Sequence, residues 1–440
     1  MKYTKESILQ ICEEEDVEFI RMQFTNSQGI MKNIAITSSQ LEKALNNEIL
    51  FDSSSVDGFY QPEAAEMYLY PDLDTFTIFP WRPQQGKVAR LICDVMKQDG
   101  SPYEGDPRGA LKRAIAHAKE LGYTFRVGPE LEFFLFHTDE NALPTTVTHE
   151  KAGYFDIAPL DFGENARRDI VLTLEDMGFE IKSSHHEHAP AQHEIDFTEE
   201  EALVTADQIM TFKMAVKSVA QRHGLHATFM PKPLNKEAGS GMHLKMALFK
   251  DGKNIFTDSN DECRLSKEAY QFISGLLAKI KEITVFANPL VNSYKRLVGG
   301  EDAPLNISWS NKRRCPLLRV PFTTEDGSVL ELRSPDPSAN PYLLLALVLE
   351  AGLYGIEHNL APVEPVNGDL TDLVKGGAYE IDKLPQNLGD ALYFAKKSDF
   401  DKAVLTEHLV TTYTTMKERE WDEYRSFVTQ WEIDNYLGIY

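Results

Sequence analysis

Gly128-Pro129-Glu130-Leu131-Glu132-Phe133-Phe134 is the stretch on which the reading of this chain turns. Its alternation is that of a β-strand, in which residues two apart share a face. Glu130 and Glu132 then point one way, and Phe134 and Phe136 continue that face as an apolar one. Leu131, Phe133 and Leu135 point the other way, toward a helix layer. Acids inside an apolar strand need a partner, because burying a lone charge is costly.

The pattern recurs downstream. Glu194-Ile195-Asp196-Phe197 repeats the paired acids, and His243 stands opposite Met242, Leu244, Met246 and Leu248. Glu331 and Arg333 share a face, with Leu330 and Leu332 turned inward. Glu187 is crowded by His185, His186, His188 and His193, although the zinc-protease spacings HExxH and HxxEH are absent. Any one of these pairs alone reads as the solvent-facing edge of a half-buried strand. Five glutamates and a histidine together suggest that a metal does the pairing, and oxygen-rich ligand sets favour Mg²⁺ or Mn²⁺ over zinc.

The totals set limits. A chain of 440 residues should hold two or three domains, and a hydrophobic content of 42% is enough for a sizeable core. A net charge of −23 argues against nucleic acid as a general partner and fits a solvated surface. No apolar run reaches membrane-spanning length, and the start, Met1-Lys2-Tyr3-Thr4-Lys5-Glu6, lacks the apolar core of a signal peptide. Cys12, Cys93, Cys263 and Cys315 are scattered, which fits a reducing, cytoplasmic setting without structural zinc.

The first hundred residues read as strand-rich. Phe19 to Phe24 and Ile30 to Ile36 flank Asn26-Ser27-Gln28-Gly29 as a hairpin, with further strands at Phe76 to Phe79 and Val88 to Cys93. Asp99 to Pro107 reads as a linker; Asp106-Pro107 starts a helix and Gly122 stops it. Helices are expected over Arg167–Gly178, Leu203–Gly224, Lys267–Phe286, Pro341–Asn359 and, near the C-terminus, from Asp401 to Tyr436.

Two-metal chemistry commonly moves a phosphoryl group. There is no P-loop, and Ala238-Gly239-Ser240-Gly241 reads as readily as a tight loop before a strand. The basic run Lys312-Arg313-Arg314 with Arg319, and the pair Lys295-Arg296, are better anion binders, since arginine grips phosphate and carboxylate oxygens through two parallel hydrogen bonds.

At this point six ordered motifs resemble class I glutamine synthetase. They are Phe51-Asp52-Ser53-Ser54-Ser55, Gly128 to Glu132, His185 to Glu194, Lys232 to His243, Asn292-Ser293-Tyr294-Lys295-Arg296, and Glu331-Leu332-Arg333-Ser334-Pro335-Asp336. The resemblance implies an α+β subunit: a β-grasp-like domain over residues 1–102, and a catalytic α/β domain with a curved antiparallel sheet over residues 103–440. It implies ATP-dependent ligation of ammonium to the side-chain carboxylate of glutamate through a γ-glutamyl phosphate, with Mg²⁺ or Mn²⁺ as cofactor. It also implies a dodecamer whose active sites lie between neighbours, the Asp52 loop coming from the adjacent subunit.

By the same resemblance, Glu132, Glu187 and Glu194 hold one metal, and Glu130, His243 and Glu331 a second. Arg296, Arg333 and the backbone of Gly239 receive glutamate. Arg314 and Arg319 meet the transferring phosphoryl group, and Lys245 could meet a phosphate of ATP. Asp52, Ser55, Tyr154 and Glu187 form the ammonium pocket, and Asp302 belongs to the loop that closes over glutamate.

Several positions depart from the family. Asp302 replaces a glutamate and is shorter by about 1.5 Å, one carbon–carbon bond. Ser53 replaces a glycine and would strain its loop if that glycine needs positive φ. Ala238 stands where an asparagine usually contacts glutamate, His188 and Ala191 replace Val and Gly, and Lys245 and Ala247 replace polar residues near the nucleotide. Gln61 stands where Gram-positive relatives carry a feedback arginine, and Gly376 to Pro385 does not match an adenylylation loop. Weak glutamine feedback and no adenylylation are therefore expected. Two other readings stay open: a γ-glutamyl ligase for a larger amine, and a weakly active nitrogen sensor with a transcription-regulator partner.

Overall fold

The computed structural model describes residues 2–59, 65–82, 85–298, 303–313, 316–322, 327–368 and 381–440. Gln61, Glu301, Asp302, Arg314 and residues 376–380 thus lie outside the described residues.

The N-terminal part is a five-stranded sheet in the order β2-β1-β5-β4-β3, built from β1 (Val17–Thr25), β2 (Met31–Thr37), β3 (Ile49–Asp52), β4 (Glu66–Ile78) and β5 (Lys87–Met96). β1 and β2 form the expected antiparallel hairpin, and Gly29 takes φ +77° in its turn, where a side chain would be strained. One face of the sheet buries Ile20, Met22, Leu69 and Leu91 against Ile8 and Leu45. Those last two belong to helices Lys5–Glu14 and Leu41–Leu45, which the strand-rich reading missed. The first of them carries a local signal: the Thr4 side chain accepts a hydrogen bond from the Ser7 N–H, and the Ser7 hydroxyl oxygen accepts one from the Thr4 N–H.

The N-terminal part meets the rest of the chain through buried charge. Arg108 grips Asp207 with two bonds (3.0 and 2.8 Å) and reaches Asp94 and Asp72 at 2.7 Å each. Asp72 and Asp94 lie on β4 and β5, while Asp207 lies on the helix Ala202–Arg222, so one guanidinium bridges the two units. A second tie is polar. The Asn340 side-chain amide donates to the carbonyls of Asn26 and Ser27 in the β1–β2 turn, at 3.1 and 3.2 Å.

Asp106 caps the helix Pro107–Glu120 by accepting from the Arg108 N–H, and Gly122 follows that helix with φ +81°. Burial, and then the charge of Asp94, push the Asp106 carboxyl up from 3.8 to about 7. The folded chain therefore keeps a proton that the unfolded chain has lost, and stability declines as pH rises from about 4 to about 7. Asp106→Asn keeps the capping oxygen and removes the charge. It gives up the oxygen that accepts from the Val95 N–H at 3.2 Å, so it should melt somewhat below the parent at pH 4 and gain on it by roughly 2–4 kcal/mol of stability by pH 8; a variant with the parent's pH profile would contradict this.

The larger part holds a mostly antiparallel sheet, curled into a half-barrel. Its strands are β6 (Thr124–His137), β7 (Ile181–His186), β8 (Gln192–Phe197), β9 (Glu200–Glu201), β10 (Leu225–Thr228), β11 (Met242–Lys250), β12 (Lys253–Asn254), β13 (Trp309–Ser310), β14 (Leu318–Arg319) and β15 (Leu330–Leu332). The main path runs β13-β14-β15-β11-β6-β8-β7. Leu131, Phe133, Leu244 and Leu332 on its inner face pack into one core with Phe212, Phe272 and Leu347 of the helices Ala202–Arg222, Lys267–Ala287 and Pro341–Glu357.

The helical C-terminus expected from about Asp401 to Tyr436 is found as three helices: Asp399–Leu405, Glu407–Ser426 and Gln430–Tyr436. Thr406, at φ 86°, breaks the first junction, since no helix passes through a left-handed residue. Beyond it Phe427, Trp431, Leu437 and Ile439 are exposed. Among the described residues no helix is long and apolar enough to cross a membrane.

Candidate active site

Strand register gathers the acids. On β6, Glu130 lies opposite His243 of β11 and Asp196 of β8, and Glu132 lies opposite Glu194. His185 of β7 faces Glu194, and Glu331 of β15 lies opposite Lys245 of β11 and Arg319 of β14. Directly opposed residues share a face of the sheet. That face floors a cavity of about 1290 Å³, lined among others by Glu130, Glu132, Glu187, Glu194, His243 and Arg333. Phe134 and Phe136 continue the same face, as their spacing predicts, and pack on Ala189 and Ala191 in a small apolar cluster apart from the main core.

The carboxylates form two main groups, joined by a third set of Glu130, Glu194 and Asp196. In one, donor atoms of Glu130, His243 and Glu331 lie within 4.8 Å of one another. Burial, and then the Arg333 charge, lower the His243 imidazole below its ordinary value, which leaves a lone pair for a cation. In the other group, Glu187 and Glu194 lie with His185 inside the same limit, and His185 stands 3.6 Å from Glu187 and 3.5 Å from Glu194. Glu132 sits alongside and accepts from the Gln192 side chain and the Gly241 N–H, both at 2.9 Å. Burial and then the Glu187 charge raise the Glu132 carboxyl, while burial and then Glu132, Asp196 and Glu187 raise Glu194 well above its ordinary value. A hard divalent cation among these oxygens removes that repulsion, so the donor set fits Mg²⁺ or Mn²⁺.

The crowd of four histidines resolves into two and two. His185 and His188 face Glu187, with His188 Nδ1 at 2.8 Å from the carboxylate and its ring stacked on Tyr154 at 4.4 Å. His186 and His193 point behind the strand, as alternation requires. His186 Nε2 donates to Glu150 at 2.8 Å, and its Nδ1 donates to the Glu187 carbonyl at 2.7 Å. His193 Nδ1 accepts from Arg167 at 2.8 Å, and a guanidinium there works against a second metal.

Glu150, which sequence reasoning missed, also accepts from the backbone N–H groups of Phe162 and Ala191. It therefore ties down the turn that carries Glu187. Its only sequence signal is a charge in a long loop. Ala191 in that turn holds φ 66°. The strain expected at Ser53 is instead found here, where alanine replaces the family's glycine. Ser53 does not have a positive φ, and its buried hydroxyl donates to the Ala65 carbonyl at 2.9 Å.

Three arginines also line the cavity. Arg296 donates to the carbonyls of Ser334 (2.8 Å), Arg333 (3.1 Å) and Pro335 (3.3 Å). Arg333 bonds Glu331, and Arg319 lies 3.4 Å from it. Gly239 and Tyr154 also line the cavity. Lys245 is ion-paired with Glu130, Ala238 packs beside the Phe134 cluster, and Arg313 bonds the Gly368 carbonyl. Asp52 ends β3, exposed, and accepts from the Ser54 N–H at 2.9 Å; neither it nor Ser55 lines the cavity of its own chain.

A methyl group on Gly241 would stand 2.6 Å from Arg296 Nη2 and 3.1 Å from His243 Nε2. Gly241→Ala should therefore push both aside, raising the KM for a substrate bound in this cavity by about tenfold or more while the fold persists. Steady-state kinetics on the purified variant checks this; an unchanged KM would contradict it.

Comparison with known proteins agrees with this geometry. The family model described as glutamine synthetase, catalytic domain, matches residues 104–436. The chain belongs to the glutamine synthetase family. The family's beta-grasp domain model matches residues 16–98. A glutamine synthetase of Clostridium saccharobutylicum is 59% identical over 100% of both chains. One from Staphylococcus aureus is 51% identical over 100% of this chain and 99% of its own. Among solved structures, a GmaS/ADP complex is 31% identical with a TM-score of 0.89 over 100% of both chains. Plasmodium falciparum glutamine synthetase shares the fold, at 24% identity, with a TM-score of 0.88 and 99% coverage of both chains.

Proposed function

We propose that this chain ligates ammonium to the side-chain carboxylate of glutamate at the expense of ATP, giving glutamine, ADP and phosphate through a γ-glutamyl phosphate. The observation that supports the reading is the pair of carboxylate and histidine groups on one sheet face, with Arg296, Arg319 and Arg333 lining the same cavity. Mg²⁺ or Mn²⁺, two per site, would be held by Glu132, Glu187 and Glu194 and by Glu130, His243 and Glu331, and supplies Lewis-acid stabilisation of phosphoryl charge. Arg296, Arg333 and the Gly239 backbone receive glutamate. Arg314 and Arg319 offset the charge of phosphoryl transfer, and Lys245 meets a phosphate.

Asp52, with Ser55, Tyr154 and Glu187, binds ammonium, and Asp52 takes its proton. The loop bearing Asp302 closes the site against water, which would otherwise hydrolyse the acyl phosphate. Asp52 and Ser55 stand away from their own cavity, which supports a site shared between neighbours in a dodecamer. Free thiols at Cys12, Cys93 and Cys263 suit a cytoplasmic enzyme.

The test is phosphate release from ATP with glutamate and Mg²⁺, comparing ammonium, a panel of primary amines, and no amine. Release that requires ammonium, with glutamine as product, is the expected result. Release only with a larger amine would move the assignment to another γ-glutamyl ligase. Silence throughout, with Mn²⁺ also tried and a transcription regulator bound, would make the chain a sensor.

A further inference from the structure

The two candidate metal positions differ in their fixed charges. Glu187 and Glu194 face each other, Glu132 and histidine rings, with no lysine or arginine ion-paired to them among the described residues. Glu130 and Glu331 instead carry cations. Arg333 and Arg319 reach Glu331, and Lys245 is paired with Glu130. Both oxygens of Glu130 are engaged: Oε1 is on the Lys245 ammonium, and Oε2 is 3.3 Å from His243 Nδ1.

The three cations are not equally fixed. Glu331 is fully buried, and Arg333 is nearly so. The Lys245 side chain is 39% exposed at the edge of the site. It lies two residues from His243 on the same face of β11, and opposite Glu331. Its ammonium is a point charge on a rotatable four-carbon stem, and while protonated it has three donors and no lone pair. It can neutralise Glu130 but cannot share a metal's coordination shell.

We infer that Lys245 is an internal stand-in for the divalent cation at Glu130, released when metal and nucleotide enter together and handed over to a phosphate. This rests on the reading that Glu130, His243 and Glu331 hold a metal. Lys245 then weakens binding of the metal alone, because an ammonium and a divalent ion on one carboxylate repel each other. It strengthens binding of the nucleotide, because the displaced ammonium finds a new anion. The chain thereby makes occupancy of this metal position depend on nucleotide.

The experiment titrates Mn²⁺ into the metal-free, full-length oligomer and reads free Mn²⁺ by electron paramagnetic resonance, with and without ADP. It compares the parent with Lys245→Met, which keeps the stem and loses the charge, and Lys245→Arg, which keeps the charge. Without nucleotide, one class of Mn²⁺ in Lys245→Met should bind about tenfold more tightly than in the parent, and ADP at saturating Mn²⁺ should bind about tenfold more weakly. Lys245→Arg should stay near the parent on both readouts. A Met variant with the parent's Mn²⁺ isotherm would overturn the inference, as would tighter Mn²⁺ with unchanged ADP affinity. A parent that binds no Mn²⁺ at all would instead overturn the metal reading beneath it.

Discussion

Glu194→Gln is expected to abolish turnover while making the metal-free protein harder to unfold. Glu194 is buried among Glu132, Glu187 and Asp196, and burial and repulsion both oppose its charge. Glutamine has nearly the same shape and removes that repulsion, so the metal-free variant should gain about 1–2 kcal/mol. On the proposed metal reading, the same change removes an anionic ligand. Losing about 4 kcal/mol of transition-state charge stabilisation slows turnover by about a thousandfold. Thermal denaturation in chelator, repeated with Mn²⁺, separates the effects: the parent should be stabilised strongly by the ion, and the variant weakly. If the variant unfolds more easily than the parent in chelator, the carboxylate is satisfied by the protein itself and the metal reading loses its best support.

Arg108→Ala should be the most damaging single change away from the cavity. Arg108 is buried, and its guanidinium is the shared partner of Asp72, Asp94 and Asp207. Lys112 still reaches Asp94, and the Tyr342 hydroxyl still donates to Asp207 at 2.6 Å, but Asp72 loses its ion-pair partner. Removing one partner of a buried ion pair costs about 3–5 kcal/mol, because the charges left behind remain desolvated. The denaturant midpoint should fall accordingly, and the N-terminal sheet should part from the catalytic unit before either core melts. Arg108→Lys should recover only part of the loss, since an ammonium cannot span three carboxylates in one plane. A loss below about 1 kcal/mol in Arg108→Ala would mean that the interface is held by its apolar contacts.

What the sequence made legible was whatever has a local period. Alternation placed Glu130 with Glu132, Glu194 with Asp196, and Glu331 with Arg333, because strand geometry repeats every two residues regardless of context. The same rule, carried one residue further, separates His185 from His186. The histidines looked like one crowd only because they were counted by proximity in sequence. The helix at Lys5–Glu14 has a local signal in Thr4 and Ser7, which the strand-rich reading of the first hundred residues did not use.

Contacts across long separations had no such signal. Glu150 reaches His186 across 36 residues, and Arg296 reaches the Ser334 carbonyl across 38. The strain assigned to Ser53 rested on the family's glycine there, whereas the left-handed backbone is at Ala191. Asp302, Arg314 and Gln61 lie outside the described residues, so their expected roles remain for the kinetic and feedback measurements.

The tie between Asn340 and the first hairpin also sets a timetable for synthesis. The carbonyl of Asn26 leaves the ribosome 314 residues ahead of the amide that will hold it. At about 5–20 residues per second, that is a wait of roughly 15 to 60 s. The hairpin must keep its turn open throughout, and Asn26 does so locally, its side chain accepting from the Ile30 N–H at 2.9 Å and its backbone N–H donating to the Ile30 carbonyl at 3.1 Å. Asn340, four residues past Asp336, docks on this prefabricated turn once it emerges. A nascent chain stalled before residue 340 should therefore carry a folded first sheet and an unfinished substrate wall.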